Sequence, residues 1–100
     1  GLPGHPGHAL AHRQMGGFGG MVSFRPKGGA AAAHRVAAAT EVFFLAESLG
    51  GVESLIEVPA AMTHLSVSGT PLEVPADLVR LSVGVEHVED LLEDLDRALG

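Results

Sequence analysis

The sequence predicts an α+β sandwich, a short and mainly antiparallel sheet with helices packed on one face. Three observations carry this reading. Strand-length apolar segments recur along the chain, an alanine-rich stretch at 30–40 has high helix propensity, and residues 88–99 repeat leucines at helical spacing. At 100 residues the length suits a single domain with one core. Residues 1–20 read as an opening loop and helix, and 21–100 as the sheet and its helices. No internal repeat and no compositionally disordered segment interrupts the pattern.

Residues 1–8 hold two prolines and three glycines, a composition that fixes turns. Ala9, Leu10 and Met15 allow a short helix over 8–15, which the cluster Gly16-Gly17-Phe18-Gly19-Gly20 must stop. Residues 21–25 alternate, with Val22 and Phe24 on one side and Ser23 and Arg25 on the other, as in a half-buried strand. Pro26 ends it, and Gly28-Gly29 leads into the alanine-rich helix, with His34 and Arg35 at its middle. The unbroken apolar run at 42–46 predicts a strand covered on both faces. Residues 61–67 and 78–85 are further strand candidates, separated by turn-forming Gly, Thr and Pro. Val88, Leu91, Leu92, Leu95 and Leu99 then define an amphipathic helix.

The surface is short of charge. Charged residues make up 18%, against roughly 25% in an average domain. Mean hydropathy is positive at +0.29. A domain this small leaves much of its apolar surface in water, so a charge-poor exterior points to a covering partner. A net charge of −6 repels phosphate backbones and anionic headgroups, which argues against nucleic acid and membrane partners. The absence of cysteine removes disulfides, thiolate catalysis and Fe–S ligation, and suits a reducing compartment; with no membrane-length apolar run, the cytoplasm is the expected location. The chain opens on Gly1 rather than methionine, which leaves open a trimmed chain or a piece of a longer polypeptide.

Four constellations invite chemistry. His8 and His12 share a helix face near His5, but no carboxylate or cysteine lies beside them, and a surface role suits that ligand set better than a metal. Lys27-Gly28-Gly29 enters a helix without the hydroxyl residue or glycine spacing of a phosphate loop. The acidic residues Glu86, Glu89, Asp90, Glu93, Asp94 and Asp96 fall where the leucines leave the last helix free, as on a solvated face. Arg80 is alone among small neighbours on one side of its strand: a bidentate clamp for a carboxylate, or a residue on a wet outer face, which spacing alone favours. Glu47-Ser48 ends an apolar strand, where loops host sites and also cap turns.

Taken in order, Gly17-Phe18-Gly19-Gly20-Met21-Val22-Ser23-Phe24, the block from Leu45-Ala46-Glu47-Ser48-Leu49-Gly50-Gly51 to Ile56, Met62-Thr63-His64, and Leu78-Val79-Arg80-Leu81-Ser82-Val83-Gly84-Val85-Glu86 resemble the Cys/Met-metabolism family of pyridoxal-phosphate enzymes. Members of cystathionine γ-synthase and γ-lyase type look most similar. The resemblance runs over nearly the whole chain and implies the small C-terminal domain of a fold-type-I enzyme. It also implies roles. Arg80 matches the arginine that binds the substrate α-carboxylate, which reverses the preference that spacing gives. Ser48 matches a serine beside it, Thr63 a threonine at the same end of the pocket, and Glu47 a position that recognises the distal part of the substrate, where a carboxylate suits an ammonium group.

The family's cofactor-bearing lysine and phosphate-binding residues belong to its large domain, and no segment here resembles them. Lys27 is the only lysine. The resemblance therefore implies a substrate-binding segment that needs a large pyridoxal-phosphate-binding domain as partner, works within a homo-oligomer on a small amino-acid substrate, and is inactive alone. The rival expectation is a stand-alone α+β module that binds an amino acid or mediates oligomerisation without reaction.

Overall fold

The computed structural model describes residues 1–62 and 74–100. Eight elements follow in order: α1 (His8–Gln14), β1 (Met21–Phe24), α2 (Gly29–Ala39), β2 (Phe44–Leu45), β3 (Leu55–Glu57), α3 (Pro59–Met62), β4 (Val79–Ser82) and α4 (Val88–Leu99). The strands form one sheet in the order β1-β4-β3-β2. β4 runs antiparallel to both its neighbours, and β2 pairs parallel to β3. The fold is the α+β sandwich that the sequence predicts.

Register sorts the strand residues into two faces, because residues directly opposite one another point the same way. Ile56 lies opposite Leu81 and Phe24 opposite Val79. This face packs under α2 and α4, where Ala33, Val36, Ala37 and Leu91 join Phe43, Ile56, Val58, Val79 and Leu81 in one buried cluster. The other face carries the row Ser23, Arg80 and Glu57 across β1, β4 and β3, and beside it the row Met21, Ser82 and Leu55.

α2 forms because seven of its eleven residues are alanine, and small side chains let it lie close to α4. Gly28, at φ +105°, occupies a left-handed N-cap that a side chain disfavours. At the other end the Thr40 hydroxyl donates to the carbonyls of Ala37 and Phe43 and turns the chain toward β2. α4 begins at His87, whose Nδ1 accepts from the Glu89 N–H at 3.2 Å. Glu89 and Asp90 in its first turn and Arg97 in its last suit the helix dipole.

Four expectations are corrected. The run at 42–46 is not covered on both faces: β2 is an edge strand two residues long, with Phe44 57% and Leu45 53% exposed, because it pairs only with β3, while Phe43 enters the core and Val42 packs against it. Ala61 and Met62 end a helical turn rather than begin a strand, since Pro59 at the first helical position is already set for helix; the rest of the expected strand, residues 63–67, lies outside the described residues. β1 is less buried than its alternation suggests, with Met21 and Val22 exposed on an edge and only Phe24 partly covered. The stripe on α4 is partly misassigned: Leu91 is buried and Leu95 packs against the core, whereas Val88, Leu92 and Leu99 are exposed and Asp94 is buried.

Candidate substrate-contacting face

β4 is the strand that organises the site. It is paired on both sides, so Arg80 at its centre is fixed by backbone ladders to Ser23 on β1 and Glu57 on β3. The guanidinium Nη2 donates to Oε2 of Glu57. The Glu57 side chain is 1% exposed and that of Arg80 20%, so the pair is largely buried and the arginine is the partly exposed member. A buried carboxylate without compensation is costly, and Arg80 is one of the groups that compensate this one.

Two residues further along the same face of β4, Ser82 Oγ accepts from the Gly50 N–H at 2.8 Å. That bond ties the loop Glu47-Ser48-Leu49-Gly50-Gly51 to the strand that holds Arg80. Leu49, Gly50 and Gly51 form with Gly20, Met21, Ser82 and Val83 a cavity of about 240 Å³ on this side of the sheet. Gly50 adopts φ +78°, which the loop's turn requires and glycine supplies.

A second set of bonds closes the end of the site. The Ser54 N–H donates to both oxygens of Glu86 at 2.7 and 3.1 Å, the Gly84 N–H donates to Ser54 Oγ at 2.8 Å, and the Val85 N–H donates to the Val52 carbonyl at 2.9 Å. Desolvation pushes the Glu86 carboxyl up, but the Ser54 N–H and hydroxyl outweigh it and hold the group below its ordinary value. Gly84 has no room for a side chain, since a Cβ there would run into the Val52 carbonyl oxygen and the Glu53 backbone.

Of the residues singled out from sequence, the structure brings Arg80 and the Glu47-Ser48 loop to one side of the sheet through Ser82 and Gly50. It does not bury Glu47 or Ser48, which are exposed and follow an exposed strand. Thr63 lies outside the described residues. His8, His12 and Phe18 cluster with ring centroids 5.3 to 6.4 Å apart. Two buried carboxylates escape sequence patterning. Glu57 ends an apolar triplet too short to read as a strand, and Asp94 hides in an acidic run. The only signal for Asp94 is its place three residues after Leu91 and one before Leu95, within the buried arc.

The family model described as Cys/Met metabolism PLP-dependent enzyme matches residues 1–100. The chain belongs to this family. Cystathionine gamma-synthase of Mycobacterium tuberculosis is 67% identical over 100 residues, which are 100% of this chain and 26% of that relative. Cystathionine gamma-lyase of Mus musculus is 55% identical over 102 residues, 99% of this chain and 26% of its own length. Among solved structures, metB from Corynebacterium glutamicum superposes with a TM-score of 0.96 at 57% identity, covering 99% of this chain and 26% of that one. The chain thus spans about a quarter of the length of the curated relatives it matches.

The family is PLP-dependent, and the residues of this chain do not fit that cofactor on their own. The single lysine, Lys27, is exposed in the turn between β1 and α2, and the chain has no tyrosine or tryptophan. What the chain does offer is a partly exposed arginine, on a strand paired on both sides, beside a loop and a small cavity.

Proposed function

We propose that this chain serves in a PLP-dependent sulfur amino-acid enzyme of cystathionine γ-synthase or γ-lyase type, and that Arg80 holds the α-carboxylate of the amino-acid substrate. The observation that supports it is the partly exposed Arg80 side chain on an inner strand of the sheet, backed by Glu57. An arginine always carries its charge and offers N–H groups in a planar fork that matches a carboxylate, so it fixes the orientation as well as the position of a bound amino acid. Fixing that orientation selects which bond at Cα stands ready to break. Glu47, exposed on the loop tied to β4, suits a distal ammonium group of the same substrate, and Ser48 and Thr63 complete the carboxylate end. The cofactor's bond-breaking chemistry falls to residues other than those of this chain, which alone is inactive. Higher identity to the γ-synthase than to the γ-lyase favours replacement over elimination.

The test is a hybrid in which these 100 residues replace the matching quarter of the Mycobacterium tuberculosis enzyme. Cystathionine formation should survive the exchange. Arg80→Ala should raise KM about 100-fold, equivalent to about 2.7 kcal/mol, and Arg80→Lys about tenfold. An unchanged KM in Arg80→Ala overturns the carboxylate role. Heat from cystathionine and the 100-residue chain by itself, lost in Arg80→Ala, would instead establish a non-catalytic binding module.

A further inference from the structure

We propose that Glu86 is a positioning residue for substrate recognition: by anchoring Ser54 it fixes the loop that carries Glu47 and Ser48, and so sets where the distal half of the substrate is held relative to Arg80. The inference rests on the proposed roles of Arg80 and Glu47 and adds a residue that itself touches no substrate. Three observations carry it. β2 and β3 run parallel, so residues 46–54 leave the end of one and must return to the start of the other as a loop. Ser54, buried where that loop returns, is held from both sides. Its carbonyl accepts from the Phe44 N–H at 2.9 Å, its N–H donates to both oxygens of Glu86 at 2.7 and 3.1 Å, and its Oγ accepts from the Gly84 N–H at 2.8 Å. The ladder between β3 and β4 begins only at Leu55, so the Glu86 carboxylate holds the residue that the ladder does not reach. Thirdly, Glu47 and Ser48 are exposed and, among the described residues, their side chains make no hydrogen bond or ion pair, so the backbone beneath them decides where they stand.

The physical consequence follows from how little else holds this edge. β2 is two residues long, and its backbone bonds to β3 run from Phe44 to Ser54 and from Ala46 to Ile56. A displacement of Ser54 therefore passes to Phe44 and along β2 to Glu47, which follows Ala46 directly. A carboxylate accepts from an N–H more strongly than a neutral carbonyl does, and without it a buried donor is left unpaired. A ligand that spans Arg80 and Glu47 needs both at a fixed separation, whereas one that reaches Arg80 alone does not. Loosening the anchor thus weakens the long ligand and spares the short one.

Cystathionine and α-aminobutyrate, which keeps the amino-acid end and lacks the distal half, serve as probes, used as inhibitors of the hybrid holoenzyme. Glu86→Gln keeps the side chain's shape and removes its charge. It should weaken cystathionine about fivefold while α-aminobutyrate moves less than about twofold. Equal weakening of the two marks a merely structural role and overturns the positioning, as does no change in either. In a Glu47→Gln background the further effect of Glu86→Gln on cystathionine should fall below about twofold, and a full effect there overturns action through Glu47. Should Glu86→Gln not fold, Glu86→Asp decides: it keeps the charge, shortens the reach, and should weaken cystathionine at least about twofold with α-aminobutyrate unmoved. Failure of the underlying roles is seen separately, as Arg80→Ala leaving both inhibitors unmoved or Glu47→Gln leaving cystathionine unmoved. Amide exchange in the 100-residue chain reports on the anchor alone. Glu86→Gln should raise exchange at Ser54 and Val85 about tenfold and leave Leu81 on β4 as in the parent, and parental rates at Ser54 and Val85 overturn the anchoring.

Discussion

The carboxylate of Asp94 collects the backbone N–H groups of Glu41, Val42 and Phe43 at 2.7, 2.8 and 3.0 Å, and the guanidinium of Arg97 besides. Desolvation pulls its pKa up, but the N–H groups of Glu41, Phe43 and Val42 and the charge of Arg97 outweigh it and hold the group below the ordinary carboxylate value. The sign follows from linkage. A depressed native pKa means the unfolded chain binds the proton more readily, so the stabilisation is fully present above the unfolded value of about 3.9 and is lost as pH falls through the native one. Thermal unfolding followed from pH 7 downward should show Tm dropping below about pH 4. Asp94→Asn should flatten that drop and cost about 2 to 4 kcal/mol at neutral pH, because it strands buried donors. A variant as stable as the parent would remove Asp94 from the account. Gly84→Ala tests another single position, since its Cβ meets the Val52 and Glu53 backbone; urea unfolding should show a loss of about 1 to 3 kcal/mol. Neither Asp94 nor Glu57 was legible as buried, because sequence patterning assigns carboxylates to water, and only tertiary pairing makes their burial tolerable.

At the scale of elements, what could be read was whatever carried a strong local period. α2 announces itself through alanine, α4 through its leucines, and β4 through alternation that holds for the buried Val79 and Leu81, although the strand ends at Ser82, itself buried, and leaves Val83 and Val85 exposed. β2 was legible as an apolar run at 42–46, though it is shorter and more exposed than that run suggests, and β3 was not legible at all. They are two and three residues long, and their pairing joins segments whose registers depend on contacts distant in sequence. The face of the strand that Arg80 takes was legible from alternation, while its partial burial against Glu57 was not. The bond from the Gly50 N–H to Ser82 Oγ ties the loop at 47–51 to β4. Ser82→Ala should leave the sheet intact at a cost of about 1 kcal/mol and raise the amide exchange rate of Gly50 about tenfold over the parent. Exchange at Gly50 that matches the parent would mean that the loop is held by other contacts.

The whole molecule returns to its shortage of surface charge. Leu45 and Phe44 on β2, Leu49 and Val52 in the loops beside them, and Val85, Val88 and Leu92 toward α4 are all exposed. An amphipathic helix normally turns such residues inward, yet α4 buries Leu91 while leaving Val88 and Leu92 more than half exposed. Apolar area left in water contributes nothing to stability, at roughly 25 cal/mol for each Å² that a partner would cover. The curated relatives it matches are about four times the length of this chain. The chain by itself should therefore self-associate or take up a hydrophobic dye at neutral pH while its helix signal stays native, which separates exposed native surface from loss of packing. Sedimentation velocity across a hundredfold concentration range should show the mean mass rising, and Leu92→Glu with Val88→Lys should suppress that rise without lowering Tm, since neither side chain belongs to the core. A dye-silent chain that sediments as a monomer at every concentration would mean these faces are tolerated in water as they stand.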